Sequence, residues 1–314
     1  MIFADTYLQP DAPDPVLEEQ AILEAARQHA PDVGPLLEID ESGGEARAYL
    51  LDGGVVMKTQ RPHRLRPRTS LCKEALFLRA LERQDELPVP RVLGYGHVQG
   101  IEYLCITRVA GTPIRDVDLT PAQRAAVLED LGRTLRRVHN IDQTGLARSG
   151  LLPGDTTGAD LRVRFTDTFE RLAEAFDRIH ASDPARQAED ADPIDLRAIA
   201  ASRLAVTPTD TDPVALHSNP GPEHVFVDPD TCAFTGLIDF GDAYRSHPAL
   251  DLRPWPDAED AYSLLAGYTS LGDVSATFED VRLTGVIILV LTRAARGTRT
   301  TRETKQAIDD LLPH

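Results

Sequence analysis

The stretch Val214–Asp242, VALHSNPGPEHVFVDPDTCAFTGLIDFGD, decides how the rest of the chain is read. Val225–Val227 and Phe234–Ile238 are short apolar runs rich in β-branched side chains, and the residues between them, Asp228-Pro229-Asp230-Thr231, are turn formers. That pattern predicts a β-hairpin. A hairpin returns its outer ends to one another, so the polar loop His217–His224 and the carboxylate of Asp239 are expected to face each other. Oxygen and imidazole groups on one loop, with a second carboxylate on the next, suit a cation shared with a phosphoryl group.

Composition sets limits around this core. A chain of 314 residues is long enough for one large domain or two lobes with sizeable cores. Its 42% apolar and 26% charged content is ordinary for a soluble globular protein. The longest apolar run, Val286–Leu291, is too short to cross a bilayer, and the N-terminal MIFADTYLQPDAPDP has neither the basic region nor the apolar core of a secretory signal. Three widely spaced cysteines fit neither a disulfide framework nor a zinc site, which gives the expectation of reduced thiols in a cytoplasm. The formal charge of −17 argues against nucleic acid as a partner. It is compatible with a cationic small molecule and equally with plain solubility.

Upstream, residues 1–15 read as a loose lead-in, and Pro15–Ala30 as an amphipathic helix that Asp14 is placed to cap. Leu36–Ile39, Ala46–Leu51 and Val55–Lys58 read as short strands of an antiparallel sheet, punctuated by Ser42-Gly43-Gly44 and Gly53-Gly54. Lys58 ends a strand, and Glu74 lies early in a helical run, Ser70–Glu82. Between them the basic segment Arg61–Arg68 reads as a proline-stiffened, solvated loop, the alternative being an anion-attracting patch. Arg91–Tyr95 and Ile101–Arg108 add two strands, and Thr120-Pro121 opens a helix with the stripe Ala125, Val127, Leu128, Leu131, Leu135 and Val138. Two more amphipathic helices, Leu161–Ile179 and Leu196–Leu204, flank an acidic, exposed loop at 181–195. Closing helices at about 257–270 and 278–296 precede a charged tail.

His217-Ser218-Asn219, the loop to His224, the hairpin and Ile238-Asp239-Phe240-Gly241 together resemble the catalytic region of the aminoglycoside phosphotransferase family. The family pattern is His-Gly-Asp, a short loop ending in Asn, a hairpin, then Ile-Asp-Phe or Trp-Gly. His247–Leu252 is similar to the family's Asp-Pro-x-x-Asp-Leu, with His247 at the first Asp. The resemblance covers roughly 35–255 and implies an α+β, two-lobed protein-kinase-like fold. A nucleotide-binding lobe with a small antiparallel sheet would span 1–106. A larger, mainly helical catalytic and substrate lobe would span 107–314, with the hinge about 107–111. The implied activity is transfer of the γ-phosphate of ATP (or GTP), with Mg²⁺, to a hydroxyl of a small-molecule acceptor. At the matching positions Lys58 would hold the phosphates, positioned by Glu74. The carbonyl of Thr107 and the amide of Val109 would hold the base, with Ile106 beside it. Asp239 and His224 would bind the metal, and Asp251 would brace the catalytic loop, with His139 as a packing or hydrogen-bonding residue.

Two positions depart from that pattern. Asn219 stands where the family has its catalytic Asp, and His224 where it has its metal-binding Asn; macrolide phosphotransferases also carry His at the latter place. An amide can orient a hydroxyl but cannot take its proton near neutral pH. Three readings stay open. Glu223 serves as base or metal ligand, the chain is a nucleotide- or ligand-binding scaffold without turnover, or Asn219 is an introduced substitution. Imidazole also matches Mg²⁺ poorly, so His224 is a ligand, a neighbour of a ligand, or a sign of another divalent metal. Asp257, Glu259 and Asp260 either attract an ammonium-bearing acceptor or form a solvated helix start.

Overall fold

The computed structural model describes residues 7–67, 70–84, 86–182 and 194–312. Strands β1 (Leu36–Asp40), β2 (Ala46–Leu51), β3 (Val55–Gln60), β4 (Val92–Val98) and β5 (Ile101–Thr107) form one antiparallel sheet in the order β1-β2-β3-β5-β4. Alternation assigns its faces. Tyr49, Leu51, Val55 and Met57 are buried under helix α1 (Glu19–Arg27), against Ile22, Ala25 and Ala26. Val56 and Lys58 therefore point to the opposite face, where helix α2 (Leu71–Leu81) packs, capped by the Ser70 hydroxyl accepting from the Lys73 amide.

The lead-in differs from expectation. Helix α1 starts at Glu19 without a side-chain cap, and Asp14 instead pairs with Arg47 at 3.0 Å and Arg61 at 2.6 Å. Two guanidiniums outweigh a cap worth about 1 kcal/mol, and the described part of the lead-in, from residue 7 on, is tied to the fold rather than loose, with the Leu8 amide donating to the Leu65 carbonyl at 2.8 Å; residues 1–6 lie outside the described residues.

The helical part is built on α3 (Pro121–His139), which Thr120 and Gln123 start with a reciprocal capping box. Its stripe Val127, Leu128, Leu131, Leu135 and Val138 is buried in the largest core, each such side chain contributing about 1.5–3 kcal/mol. Helices α4 (Thr144–Arg148), α5 (Gly158–Ser182) and α6 (Leu196–Ala205) follow. Of the acidic loop expected at 181–195, residues 183–193 lie outside the described residues. Helices α7 (Ala258–Thr269), α8 (Phe278–Ala295) and α9 (Thr301–Leu311) close the chain. Helix α9 replaces the expected charged tail: a capping box between Thr300 and Glu303 starts it, and Ile308 is buried in a second core with Leu172 and Leu291. Among the described residues no helix is long and apolar enough to cross a membrane.

The hairpin forms as read. Strands β8 (Val225–Val227) and β9 (Phe234–Leu237) pair antiparallel, with β6 (Thr112–Pro113) on the outer side of β8. Asp228 closes the turn by accepting from the amides of Asp230 and Thr231 at 2.9 and 2.8 Å. Strands β7 (Val214–Leu216) and β10 (Tyr244–Ser246) pair beside it, which fixes both chain ends of the central stretch.

Candidate active site

The face alternation of β3 and the return of the hairpin converge on one ammonium group. Lys58 Nζ lies 2.7 and 2.9 Å from the carboxylate oxygens of Glu74 on α2, and 2.8 Å from Asp239 Oδ1 just past β9. Glu74 is buried, Lys58 nearly so, and Asp239 opens onto a cleft, its side chain 44% exposed. Burial works against charge on Lys58, but Asp239 and Glu74 outweigh it and hold the ammonium above its usual value. Burial likewise pushes Asp239 up, and Lys58 more than reverses this, leaving it well below the usual carboxylate range. Glu74 is raised, by burial first and with Asp239 adding to it against the pull of Lys58. Two carboxylates thus share one ammonium group.

Asp239 is aimed by its backbone. The Ile238 amide donates to the His224 carbonyl at 3.0 Å, extending the hairpin ladder, and Asp239 then turns into the left-handed region at φ 70. Aspartate is among the few non-glycine residues that tolerate this conformation. Phe240 follows, fully buried, edge-on to Phe77 of α2 at 5.3 Å and to His217 at 4.5 Å. This one ring ties the helix that carries Glu74 to the loop that carries Asn219.

The loop itself hangs on Asp251. Its two oxygens accept from the amides of His217 and Ser218, both at 2.7 Å, and one also accepts from His139 Nε2 at 3.0 Å. His139 Nδ1 faces the Tyr268 hydroxyl at 2.9 Å, so His139 is a hydrogen-bonded link between α3 and α7. His217 Nε2 meets the Ile238 carbonyl at 2.8 Å, while Nδ1 accepts from the Asn219 amide at 3.3 Å. Both ring nitrogens are used by a neutral imidazole, and burial lowers its pKa to about 4. Trp255 Nε1 donates to the Pro220 carbonyl at 2.8 Å and Arg253 to that of Ser218 at 3.1 Å. Neither contact was legible beforehand, because no sequence spacing marks a side chain that reaches back to a loop carbonyl.

Asn219 and Glu223 face each other, with the amide Nδ2 donating to Glu223 Oε1 at 3.1 Å. A carboxylate only accepts, so the amide nitrogen is the atom turned to it, leaving the Asn219 carbonyl oxygen for another donor. His224 Nδ1 lies 2.7 Å from the Asn219 backbone carbonyl, which can only accept. The proton of a neutral ring is therefore on Nδ1, and the bare Nε2 lone pair faces Asp239 Oδ2 at 3.5 Å. Two acceptors so placed call for a cation or a proton between them. Among the described residues no cluster of three or more His, Cys, Asp or Glu forms a closed metal cage.

These groups line a cleft of about 610 Å³ together with Gly43, Gly44, Thr107 and Val109. All eight expected site residues (Lys58, Glu74, Thr107, Val109, Asn219, Glu223, His224 and Asp239) border it. Asp257, Glu259 and Asp260 border a separate cavity of about 640 Å³. Asp257 caps α7, and Asp260 pairs with Arg124 at 2.6 Å, so two of these three carboxylates are taken up by the helix start and its partner.

The model for the phosphotransferase enzyme family matches residues 36–255, a span that holds the sheet, the Lys58 trio and the Asn219 loop. The chain belongs to this family. Comparison with curated protein sequences gives no match. Among solved structures, the GDP complex of wild-type aminoglycoside 2'-phosphotransferase-IIIa superposes with a TM-score of 0.63 at 16% identity, covering 94% of this chain and 98% of the other. ADP-bound aminoglycoside phosphotransferase APH(2'')-Ib gives 0.60 at 14% identity, over 94% and 97% of the two chains. Spectinomycin phosphotransferase APH(9)-Ia, in complex with ADP and spectinomycin, gives 0.55 at 12% identity over 96% of each. At such identities the likeness establishes the fold: α+β, kinase-like, with a small antiparallel sheet followed by a helical region.

Proposed function

We propose that this phosphotransferase moves the γ-phosphoryl group of ATP or GTP to a hydroxyl of a small molecule, with a divalent cation carried by the nucleotide. The observation that supports it best is the Lys58 ammonium bridging Glu74 and Asp239 at 2.7 and 2.8 Å on the wall of the cleft. A strand lysine fixed by a helix carboxylate is a phosphate-binding arrangement, and Thr107–Val109 offers main-chain groups to a base at the same cleft.

The donor set fits Mg²⁺ in the manner of kinase sites, where one or two protein ligands suffice because phosphates and water supply the rest. Asp239 would be the principal ligand, and the His224 Nε2 lone pair facing it the second. When bound, the ion would neutralise charge on the phosphoryl oxygens. Asp239 Oδ2, on the side of His224, would hold the cation, while Oδ1 and Glu74 keep the Lys58 ammonium in place for the phosphates.

Glu223, held by the Asn219 amide through Oε1, accepts the acceptor's O–H and takes that proton as the new O–P bond forms and the bond from phosphorus to the diphosphate oxygen breaks, with Asn219 beside the hydroxyl to hold it in line. Positioning and electrostatics carry most of the rate in a loose transition state, so this one carboxylate is sufficient as base. The substrate is read no more narrowly than a hydroxyl-bearing small molecule, for which the acidic charge of the chain permits a cation.

Titration with ATP and GTP in Mg²⁺, followed by assays of nucleoside diphosphate release with hydroxylated antibiotics and metabolites, tests the reading. Tight binding that Asp239→Asn weakens, with acceptor-stimulated release, is expected. Absence of nucleotide binding overturns it, and binding without turnover by any variant, Asn219→Asp included, favours a scaffold.

A further inference from the structure

The basic segment at 61–67 is only partly accounted for by folding. Arg61 is committed to Asp14 at 2.6 Å, and Arg64 and Arg66 both lie over the Tyr7 ring, each 5.8 Å from its centroid. Arg66 alone of the three also reaches the cleft, which it borders together with Lys58 and Asp239. Its Nε lies 2.7 Å from Glu45 Oε1, yet the N–H is not directed at that oxygen. Nε is sealed from water and makes no hydrogen bond among the described residues. Burial works against the charge, while Glu45, the Tyr7 hydroxyl and Asp242 hold it.

The placement of those carboxylates matters. Glu45 ends the Ser42-Gly43-Gly44 loop, and its backbone carbonyl is fixed by Gln60 Nε2 at 3.0 Å and the Arg61 amide at 3.1 Å. Asp242 lies three positions beyond Asp239. Arg66 thus stands between the glycine loop and the segment that carries the metal carboxylate. Of the other arginines bordering the cleft, Arg108 belongs to the hinge segment and Arg115 is exposed, paired with Asp116 at 3.5 Å.

We propose that Arg66 is the second phosphate-binding cation of the cleft, exchanging Glu45 for the terminal phosphate of a bound nucleoside triphosphate. This rests on the nucleotide reading of the same site. A phosphate carries more charge than a carboxylate and matches the planar guanidinium fork with two aligned N–H groups, which the present contact with Glu45 lacks. The exchange breaks the ion pair between Arg66 and Glu45, at the end of the glycine loop, only when a third phosphate is present. Arg66 then distinguishes triphosphate from diphosphate, while Lys58 serves both.

The test is calorimetric titration, in Mg²⁺, of the β,γ-imido triphosphate analogue and of the diphosphate, with adenine and guanine forms. The proteins are the unaltered chain, Arg66→Ala, Arg66→Lys and Glu45→Gln, each checked for thermal unfolding. Arg66→Ala is expected to weaken the triphosphate analogue on the order of 10- to 100-fold, the size of a charge-assisted hydrogen bond, and to leave the diphosphate within about threefold. Arg66→Lys restores part of the loss. Glu45→Gln removes the competitor and tightens the triphosphate several-fold, on the order of one weakened ion pair. Equal weakening of both nucleotides, or a weaker triphosphate in Glu45→Gln, overturns the proposal and makes Arg66 a structural latch. If Arg66→Ala does not fold, the other two variants decide. An unaltered chain that binds neither nucleotide overturns the nucleotide reading, and the role of Arg66 with it.

Discussion

Replacing Asn219 by aspartate puts a second carboxylate where the amide nitrogen now sits, 3.1 Å from Glu223 Oε1. Two unit charges at that separation repel by about 5 kcal/mol at an effective dielectric near 20, which corresponds to about four pKa units. Asn219 and Glu223 are both partly open to solvent, so this is a ceiling. The pair therefore shares one proton and yields it in the neutral range rather than near pH 4. The measurement is nucleoside diphosphate release against pH from 5.5 to 9, for the unaltered chain, Asn219→Asp, Glu223→Gln and the double variant. Asn219→Asp is expected to raise turnover by about 10²-fold at the alkaline end, the lower range of a well-placed general base, with the gain fading below about pH 6. In the double variant the rising limb moves back to the ordinary carboxylate range, and the profile is flat through neutrality. Glu223→Gln alone lowers turnover by about 10²–10⁴-fold. An Asn219→Asp protein that binds nucleotide normally yet gains nothing at any pH would refute the placement of Asn219 beside the reacting hydroxyl.

Other outcomes follow from the same geometry. Glu74→Gln removes the buried carboxylate from Lys58 and is expected to destabilise the fold by about 3–5 kcal/mol, read by urea unfolding, and to weaken nucleotide binding in titration. Asp251→Asn turns an oxygen that accepts from His139 or from a loop amide into a donor, costing a similar amount and lowering turnover more than nucleotide affinity. A stability profile against pH reads the buried imidazoles: burial lowers both His217 and His247 to about 4. The unfolded chain binds those protons at about pH 6.5, so stability is full above that pH and falls from 6.5 toward 4, by at most about 3 kcal/mol per ring. A melting temperature that stays flat from pH 7 to 5 would contradict the neutral assignment.

Much of the site was legible because its residues sit on short-range patterns. The hairpin at 225–237 is local turn chemistry, and strand alternation alone turns Lys58 away from the face covered by α1. What escaped the reading was long-range or carried by weak local signals. Asp14 looked like a helix cap because a cap is a sequence neighbour, whereas Arg47 and Arg61 reach it only once the sheet has formed. The helix at 301–311 was masked by its charge, although Thr300 and Glu303 spelled a capping box. The direct contact of Lys58 with Asp239, 181 positions apart, and the tautomer of His224 depend on which carbonyl lies beside which nitrogen, which no spacing encodes.

The left-handed backbone at Asp239, φ 70, bears on how that position can be probed. Ligand chemistry and main-chain geometry select the same side chain there, so alanine scanning would report their sum. Alanine removes the oxygen donors and also asks a Cβ-bearing residue with no local polar compensation to hold a conformation that costs roughly 1–2 kcal/mol. Asparagine keeps the geometry and alters only the charge, and glycine keeps the geometry and removes the side chain. The difference between those two variants isolates what the carboxamide does, and the difference between glycine and alanine measures what the turn itself costs.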